Sequence, residues 1–414
     1  MGNSMSQDNR GFNLEKVRAD FPLLTRDIRG VPLVYLDNAA STLKPIHVID
    51  RLQQYYRNET SNVHRGAHYL SSQGTVAYEA SRETVRRFVN AKSIHEIIFT
   101  RGTTEAVNLV AQSWGRANFK EGDEIILTEL EHHSNIVPWQ MITSEKGCKI
   151  KVIPVNDIGE LEFDKYLELL SPKTKMVSMS SCSNTLGTVT DVSKYIEAAH
   201  RVGAKVMIDA AQSAPQFPTD VQKLDCDFLA FSGHKVFGPY GIGALFGKEE
   251  LLESMPPYQG GGSMISEVTW EKTTWAAVPQ KFEAGTPAIS GALGLEAALS
   301  YIMDLGFDAI IAHEHDLLEY ATRELKEIPG LRVVGEAKNK AAILSFVIDG
   351  AHPSDIGSII DQQGVAVRAG HHCCQPLMKR LGLPATVRAS FSIYNTRGEV
   401  DILKQSLIKA KEFF

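Results

Sequence analysis

The chain has 414 residues, of which 43% are hydrophobic and 22% are charged, and its formal net charge is −6. These values are typical of a globular protein with two or three domains, and they exclude the strongly basic surface that nucleic acids require. No apolar run is long enough to span a bilayer, and the polar start MGNSMSQDNRG lacks the apolar core of a secretory signal. We therefore expect neither a nucleic-acid partner nor a membrane partner.

The first six residues, MGNSMS, fit the pattern for N-myristoylation, with Gly2 and Ser6 in the required places. This pattern is short and is often met by chance, and Met5 could be the natural start. We therefore interpret the first residues as a disordered lead-in.

The cysteines indicate a reducing compartment. An odd number of scattered cysteines in a large chain without an export signal is typical of free thiols. We therefore expect a cytoplasmic location. The five cysteines are Cys148, Cys182, Cys226, Cys373 and Cys374.

Short β-rich runs alternate with helical patterns through the middle of the chain. This rhythm predicts a largely parallel sheet with helices on both faces. Such sheets bind ligands beyond the carboxyl ends of their strands, so the polar residues after each strand become site candidates. In chain order we predict strands at 96–100, 123–130, 175–184, 204–212, 226–235 and 243–248, and helices at 103–114 and 192–203.

The pattern changes near residue 300, where we place a domain boundary. Long amphipathic helices come first. The runs LRVVG, AAILSFVID and AVRAG then predict the strands of a smaller α/β unit, and a closing helix is predicted near 399–413.

The stretch FSGHKVFGPYGIG places Lys235 directly after a predicted strand, between a Ser-Gly-His turn and a run of glycines. Lysine forms Schiff bases with carbonyl cofactors. Ser232 and His234 flank this lysine and could bind a phosphate. The alternative is a solvated lysine in a glycine-rich turn.

A carboxylate at the end of the preceding strand favours the cofactor interpretation. Asp209 ends the run KVMID and could pair with a pyridinium nitrogen, the usual partner of pyridoxal phosphate. Gln212 could reach the ring hydroxyl. The alternative is that Asp209 caps the next helix.

Two further motifs follow predicted strands. In TRGTTEAVNLV a glycine turn leads into a helix, whose free N–H groups at Gly102, Thr103 and Thr104 favour an anion. In EHHSN, His132 could stack on a cofactor ring, or His132 and His133 could bind a metal. Adjacent residues point in different directions, and no supporting ligand set is present.

The run RAGHHCCQP at 368–376 suggests either zinc or a nucleophilic thiol. Four consecutive residues cannot easily close a tetrahedron around zinc. A cysteine near histidines and arginines can be a thiolate. Arg368 and Arg388 add positive charge, and an arginine can hold a substrate carboxylate bidentately.

Taken together, these motifs resemble the group II cysteine desulfurases of the SUF type, which are related to selenocysteine lyases. The resemblance covers nearly the whole chain. It rests on YLDNAAST, NVHRGAH, TRGTTEAVNLVA, EHHSNIVPWQ, SNTLGT, IDAAQSAPQ, FSGHKVFGPYGIG, FEAGTP and RAGHHCCQPLM.

The resemblance implies an α/β protein of the aspartate aminotransferase-like fold type I. The expected parts are an N-terminal segment (1–33) packing with the small domain, a large domain (34–300) that binds pyridoxal phosphate, and a small C-terminal domain (301–414). The large domain holds the mainly parallel sheet, and the small α/β domain carries the cysteine loop.

The resemblance also assigns the cofactor contacts. Lys235 binds pyridoxal 5'-phosphate covalently, and His132 stacks on its ring. Asp209 pairs with the ring nitrogen, and Gln212 binds the ring hydroxyl. The phosphate contacts are assigned to Thr104, Ser232, His234 and, in the neighbouring subunit, Thr286.

For the substrate, the resemblance assigns the carboxylate to Asn184 and Arg388, with Asn184 also counted among the cofactor contacts. Cys373 matches the persulfide-forming cysteine, and Arg368 and His64 are expected near it. The implied reaction converts L-cysteine to L-alanine in a homodimer without a metal. The sulfur then passes to a SufE- or SufU-like acceptor for iron–sulfur cluster assembly.

Three alternatives remain open: a selenocysteine lyase, an aminotransferase of the same fold and a non-enzymatic scaffold. Two positions also depart from the family pattern. Cys374 stands where a small residue is common, and it could either relay sulfur or fill space. We favour space-filling for Cys374 and interpret Cys182 as packing near the site.

Overall fold

The computed structural model describes residues 12–414. The myristoylation pattern at Gly2 and Ser6 lies outside this range. In chain order the helices are α1 (Leu14–Ala19), α2 (Ile46–Gln54), α3 (Tyr69–Val89), α4 (Thr103–Val110), α5 (Arg116–Asn118), α6 (Val137–Lys146), α7 (Phe163–Leu169), α8 (Ser193–Arg201), α9 (Val221–Leu224), α10 (Glu249–Ser254), α11 (Ile289–Leu305), α12 (Phe307–Lys326), α13 (Pro353–Asp361), α14 (Gln375–Arg380) and α15 (Arg397–Lys411). In chain order the strands are β1 (Asp27–Ile28), β2 (Val31–Pro32), β3 (Val34–Tyr35), β4 (Ile97–Thr100), β5 (Glu124–Thr128), β6 (Lys149–Ile153), β7 (Thr174–Ser180), β8 (Lys205–Asp209), β9 (Phe228–Ser232), β10 (Gly243–Gly247), β11 (Ile265–Val268), β12 (Thr273–Trp275), β13 (Leu331–Val334), β14 (Ile343–Ile348), β15 (Val365–Ala366), β16 (Arg368–Gly370) and β17 (Thr386–Ser390).

The large sheet has seven strands in the order β4-β10-β9-β8-β7-β5-β6. Its strands are parallel from β9 to β6, and β10 is antiparallel to both of its neighbours. The predicted mainly parallel sheet is therefore confirmed. The sequence prediction missed β6, an edge strand whose half-exposed KIKVI pattern lacks a continuous apolar run.

Apolar strands explain why this sheet lies in the middle of the molecule. The run EIILT of β5 is buried along its whole length, as expected for a strand covered on both faces. Ile126 packs into one hydrophobic core, whereas its neighbours Ile125 and Leu127 pack into another. Because successive side chains of a strand point to opposite faces, these cores occupy the two sides of the sheet.

The C-terminal part forms a second sheet, antiparallel, in the order β13-β14-β17-β16. Helices α12, α13 and α15 pack against this sheet or each other, and together they enclose a separate hydrophobic core. A capping box between Thr396 and Glu399 begins α15. Within residues 12–414 no helix is both long and apolar enough to cross a bilayer.

The chain passes from one core to the other in the region predicted as a boundary. Helix α11 runs without a break through residue 300, and Gly306 separates it from α12. Residues 12–33 contact both parts of the molecule. Phe21 packs against Phe237 and Tyr394, and Arg29 pairs with Asp361 at 2.7 Å.

The carboxyl ends of β5, β7, β8 and β9 meet at one edge of the large sheet, because these strands are parallel. The carboxyl end of β4 lies at the same edge, because β10 is antiparallel to both β4 and β9, so β4 and β9 run in the same direction. The polar residues that follow all five strands therefore converge at this edge.

Candidate active site

The residues beyond these strand ends line a cavity of about 250 Å³. The wall includes every site residue predicted from the sequence except His64 and Thr286. The predicted residues on the wall are Thr104, His132, Asn184, Asp209, Gln212, Ser232, His234, Lys235, Arg368, Cys373 and Arg388.

Opposite charges lie at the ends of two neighbouring strands. Asp209 is the last residue of β8, and Lys235 follows β9 in a 3-10 turn. One oxygen of the buried Asp209 carboxylate accepts a hydrogen bond from the N–H of Ala211 at 2.9 Å. Burial raises the pKa of Asp209 and lowers the pKa of Lys235, and the attraction between the two groups opposes both shifts. A lysine with a lowered pKa is the better nucleophile.

The turn between β4 and α4 can bind an anion. Gly102 has a φ of 138°, a value that favours glycine. The Ser232 Oγ accepts a hydrogen bond from the N–H of Thr103 at 2.9 Å, and Thr104 lies on the cavity wall. A Cβ on Gly243 would lie 2.6 Å from the Gly102 Cα, so a side chain there would push the turn away. The helix N-terminus and these hydroxyls favour a phosphate.

Two histidines of the cavity are neutral at pH 7. Burial, helped by the charge of Lys235, lowers the pKa of His132 to about 4 and that of His234 to about 4. The His132 Nδ1 accepts a hydrogen bond from the N–H of Ser134 at 3.1 Å, so the ring carries its hydrogen on Nε2. The His234 ring stacks on Tyr240 with centroids 5.6 Å apart. A neutral, flat ring such as His132 is suited to stacking on an aromatic cofactor.

Asp37 holds both arginines of the cavity, and the sequence analysis did not assign it to the site. Its carboxylate accepts hydrogen bonds from Arg368 at 2.9 Å and from Arg388 at 3.2 Å. Arg368 and Arg388 are register partners on β16 and β17, so both guanidinium groups reach the same carboxylate. The available signal was the position of Asp37 directly after the run VYL, because polar residues after strands were the ones sought.

Asn184 joins the cavity wall to the cysteine loop. Its backbone oxygen accepts a hydrogen bond from Arg388 at 2.8 Å, and its Nδ2 donates to the backbone oxygen of His372 at 2.8 Å. Gln212 is also buried, and its Nε2 donates to the backbone oxygen of Ala39 at 2.7 Å. Both amides are therefore held in place by the surrounding chain.

The cysteine loop connects β16 to α14 and presents Cys373 at the cavity. His372 and Cys373 have φ values of 52° and 55°, a left-handed conformation that is costly for residues other than glycine. The N–H of Cys373 donates to the His371 Nδ1 at 3.1 Å, and the Cys373 oxygen accepts from the N–H of His133 at 2.8 Å. These contacts keep the thiol exposed.

The other cysteines near the site are buried. Burial raises the pKa of Cys182 to about 12 and that of Cys374 to about 12, so both are thiols at neutral pH. All five cysteines are free. In the part of the chain that the structure describes, there is no group of three or more His, Cys, Asp or Glu side chains that could hold a metal ion.

His64 and Thr286 lie outside the cavity of their own chain. The His64 Nε2 is 2.9 Å from the Glu79 Oε1. The backbone N–H of His64 donates to the Thr75 Oγ1 at 2.8 Å. Thr286 lines a second cavity of about 450 Å³ together with Tyr78. Within one chain, His64 therefore does not reach the cavity to which it was assigned. Thr286 was assigned to the cavity of the neighbouring subunit, and that assignment stays a prediction.

The cavity fits pyridoxal phosphate in its chemistry. The group carries an anionic phosphate, a pyridine nitrogen and a reactive carbonyl. The α4 turn provides donors for the phosphate, Asp209 a carboxylate for the nitrogen, and Lys235 an amine for the carbonyl. In the described chain the buried His234 Nδ1 and Arg388 Nε have no hydrogen-bond partner, so donors and acceptors remain for ligands.

Comparison with known proteins agrees with this chemistry. The aminotransferase class-V family matches residues 34–403. A cysteine desulfurase of Synechococcus elongatus is 54% identical over 96% of this chain, and a probable cysteine desulfurase of Halalkalibacterium halodurans is 50% identical over 97%. The chain spans 99% of the Halalkalibacterium relative. It spans only 63% of the Synechococcus relative, and 64% and 58% of two mycobacterial ones.

A solved structure extends the similarity to three dimensions. The cysteine desulfurase CsdA from Escherichia coli matches with a TM-score of 0.91 and 41% identity, over 97% of this chain and 99% of that chain. The predicted resemblance to cysteine desulfurases and the predicted fold type are therefore confirmed. Because the family match runs through both the seven-stranded and the four-stranded sheet and the cavity fits its cofactor, the chain belongs to the aminotransferase class-V family of pyridoxal-phosphate-dependent enzymes.

Proposed function

We propose that this protein is a cysteine desulfurase that converts L-cysteine to L-alanine and leaves the sulfur as a persulfide on Cys373. The observation that carries the proposal is the exposed Cys373 thiol on the wall of the cavity that also contains Lys235 and Asp209. The relatives named cysteine desulfurase support the same reaction.

In this proposal Lys235 holds the cofactor and moves the proton at the substrate α-carbon. When bound, pyridoxal phosphate acts as an electron sink for that carbon. Asp209 favours a protonated ring nitrogen, because a carboxylate beside that nitrogen stabilises the positive charge. His132 covers the ring, and Gln212 supplies an amide to its hydroxyl. The phosphate contacts are Thr104, Ser232 and His234.

The arginines and Asn184 select an amino acid as substrate. Arg388 is buried on the cavity wall, and its Nε is free to donate to a carboxylate. The second hydrogen of the Asn184 Nδ2 provides another donor. Arg368 lines the same cavity wall as Cys373, so its guanidinium group adds positive charge beside the thiol.

The sulfur transfer balances without an added oxidant. The Cys373 thiolate attacks the substrate sulfur, one S–S bond forms, and the substrate C–S bond breaks. Its electron pair stays with carbon, which takes up a proton and becomes the methyl group of alanine. Cys373 returns to a thiol when an acceptor thiol takes the outer sulfur and itself becomes a persulfide.

We also propose a homodimer in which His64 and Thr286 complete the partner's cavity. This arrangement explains why neither residue lines its own cavity. Tyr69 and Val76 on α3 are exposed although they are large and apolar, which supports burial against a second copy.

The remaining parts of the proposal concern the sulfur's destination. A SufE- or SufU-like protein would take the sulfur for iron–sulfur cluster assembly in the cytoplasm, where the five free cysteines stay reduced. L-Selenocysteine would also be a substrate, since it presents the same carboxylate and amine. A metal is not part of the proposal.

The first experiment measures alanine and sulfide together after the holoenzyme reacts with L-cysteine and a reductant. We expect equal amounts of both products, and none from Cys373→Ala, which should still bind the yellow cofactor. Cys148→Ala is the matched control, because Cys148 lies away from the cavity, and it should keep full activity. Full activity in Cys373→Ala would refute the assignment of the nucleophile. A yellow enzyme that forms neither product from cysteine would refute the desulfurase.

A further inference from the structure

Cys374 follows the exposed Cys373 directly but is fully buried. Its Sγ donates a hydrogen bond to the Asn184 Oδ1 at 3.0 Å. The hydroxyl of the neighbouring residue Thr185 is also buried and has no hydrogen-bond partner in the described chain. The thiol therefore fills a polar position rather than only an apolar space.

The hydrogen bond from Cys374 acts together with a contact to His372 to fix which way the Asn184 amide faces. An amide can rotate by half a turn and exchange its oxygen and nitrogen, so its partners decide the orientation. The Asn184 Nδ2 donates to the His372 oxygen at 2.8 Å. After a half-turn, the Oδ1 would face that oxygen, two acceptors would meet, and the Nδ2 would face a thiol, which is a weak acceptor.

We propose that Cys374 is a positioning residue whose thiol holds the Asn184 amide with its Nδ2 toward the cysteine loop and the cavity, and that it carries no sulfur. The inference rests on the proposed function where it assigns the substrate carboxylate to Asn184. The contacts of the amide with Cys374 and His372 do not depend on that assignment.

A sulfur relay from Cys373 to Cys374 conflicts with this geometry. Burial raises the pKa of Cys374 to about 12, so the nucleophilic thiolate is scarce at neutral pH. Its sulfur faces Asn184 on the inside of the loop, whereas the side chain of Cys373 is exposed. A persulfide on Cys374 would also need space in a part of the loop that is fully buried.

The test compares Cys374→Ala with Cys374→Ser. Alanine removes the donor, whereas serine keeps a hydroxyl that can donate to Asn184. Removing one hydrogen bond of about 1 kcal/mol corresponds to about a fivefold change in an equilibrium constant. We therefore expect KM for L-cysteine to rise about fivefold in Cys374→Ala, with kcat changed by less than about twofold. Cys374→Ser should return KM to within about twofold of the parent value.

Cys226→Ala is the matched control, because Cys226 is equally buried but belongs to a hydrophobic core beside the seven-stranded sheet and not to the cavity. Its KM should equal that of the parent enzyme. A parent-like KM in Cys374→Ala, or a serine variant as impaired as the alanine variant, would refute the positioning role.

Two measurements test the inference without turnover. The first is the dissociation constant of L-alanine for the holoenzyme, followed by the visible spectrum, which should rise about fivefold in Cys374→Ala and recover in Cys374→Ser. The second is mass spectrometry of the enzyme after reaction with L-cysteine in the absence of reductant. It should find the persulfide on Cys373 alone, and a persulfide on Cys374 would overturn the inference. If the parent enzyme formed no alanine or sulfide, the proposed function would be refuted instead. The L-alanine measurement would then still test the positioning role of Cys374.

Discussion

Replacing Asp37 by asparagine tests whether one carboxylate holds the arginine pair. The Arg388 side chain is 2% exposed, and Asp37 is 17% exposed. Breaking a buried ion pair by removing one partner costs about 3–5 kcal/mol, because the other charge stays buried. Asparagine keeps the size and one acceptor oxygen, so we expect the free energy of unfolding to fall by about 3 kcal/mol. This loss corresponds to a change of more than about a hundredfold in the unfolding equilibrium constant.

The assay is urea-induced unfolding of the holoenzyme at pH 7. The midpoints of the variants are compared with the dependence of the unfolding free energy on urea concentration held constant. Asp361→Asn provides the control, since the pair Arg29–Asp361 has side chains that are 50% and 46% exposed. Exposed pairs contribute less than about 1 kcal/mol, and salt screens them. If the two variants lose equal stability, the reasoning about Asp37 is wrong. A KM for L-cysteine that rises only in Asp37→Asn would agree with release of the arginines from their common carboxylate.

Two further predictions concern pH and assembly. The pKa of His132 is about 4 in the folded state and about 6.5 in the unfolded state, so only the unfolded state binds this proton between those values. The free energy of unfolding should therefore fall as the pH drops from about 6.5 to about 4. In urea unfolding, His132→Phe should lose less stability over that range. An equal dependence of the unfolding free energy on pH in both proteins would contradict the lowered pKa. Co-expressed Cys373→Ala and Thr286→Ala chains should regain about a quarter of parental sulfide release, because half the dimers would hold one intact cavity. No recovery would show that Thr286 does not act across the dimer.

Local pattern was enough to predict most of the large sheet. Strands such as β5 and β9 are buried on both faces, so their apolar runs are continuous and easy to recognise. The rule that ligands bind beyond parallel strand ends then predicted that Asp209, Lys235 and His132 would meet, and they line one cavity. The roles of these residues in the reaction stay predictions until the experiments above are done.

The same approach missed contacts between residues far apart in the chain. Asp37 and Arg388 are separated by 351 positions, and nothing in the local sequence of either residue indicates the other. Strand β17 was also missed, although TVRAS is buried along its length, because its polar residues hide the apolar pattern. Arg388 is tolerated in that strand since Asp37 and the Asn184 backbone oxygen satisfy it.

The sequence by itself determined the fold class and the residue types at the sheet edge, because periodicity and strand-end polarity are local properties. It also indicated the family, through the resemblance of its combined motifs. The tertiary structure alone decided which of two adjacent cysteines is exposed, how Asp37 holds two arginines, and that His64 and Thr286 lie outside their own cavity. These features depend on where distant segments meet in space. Burial and hydrogen bonding at such contacts follow from packing, which no stretch of the chain encodes alone.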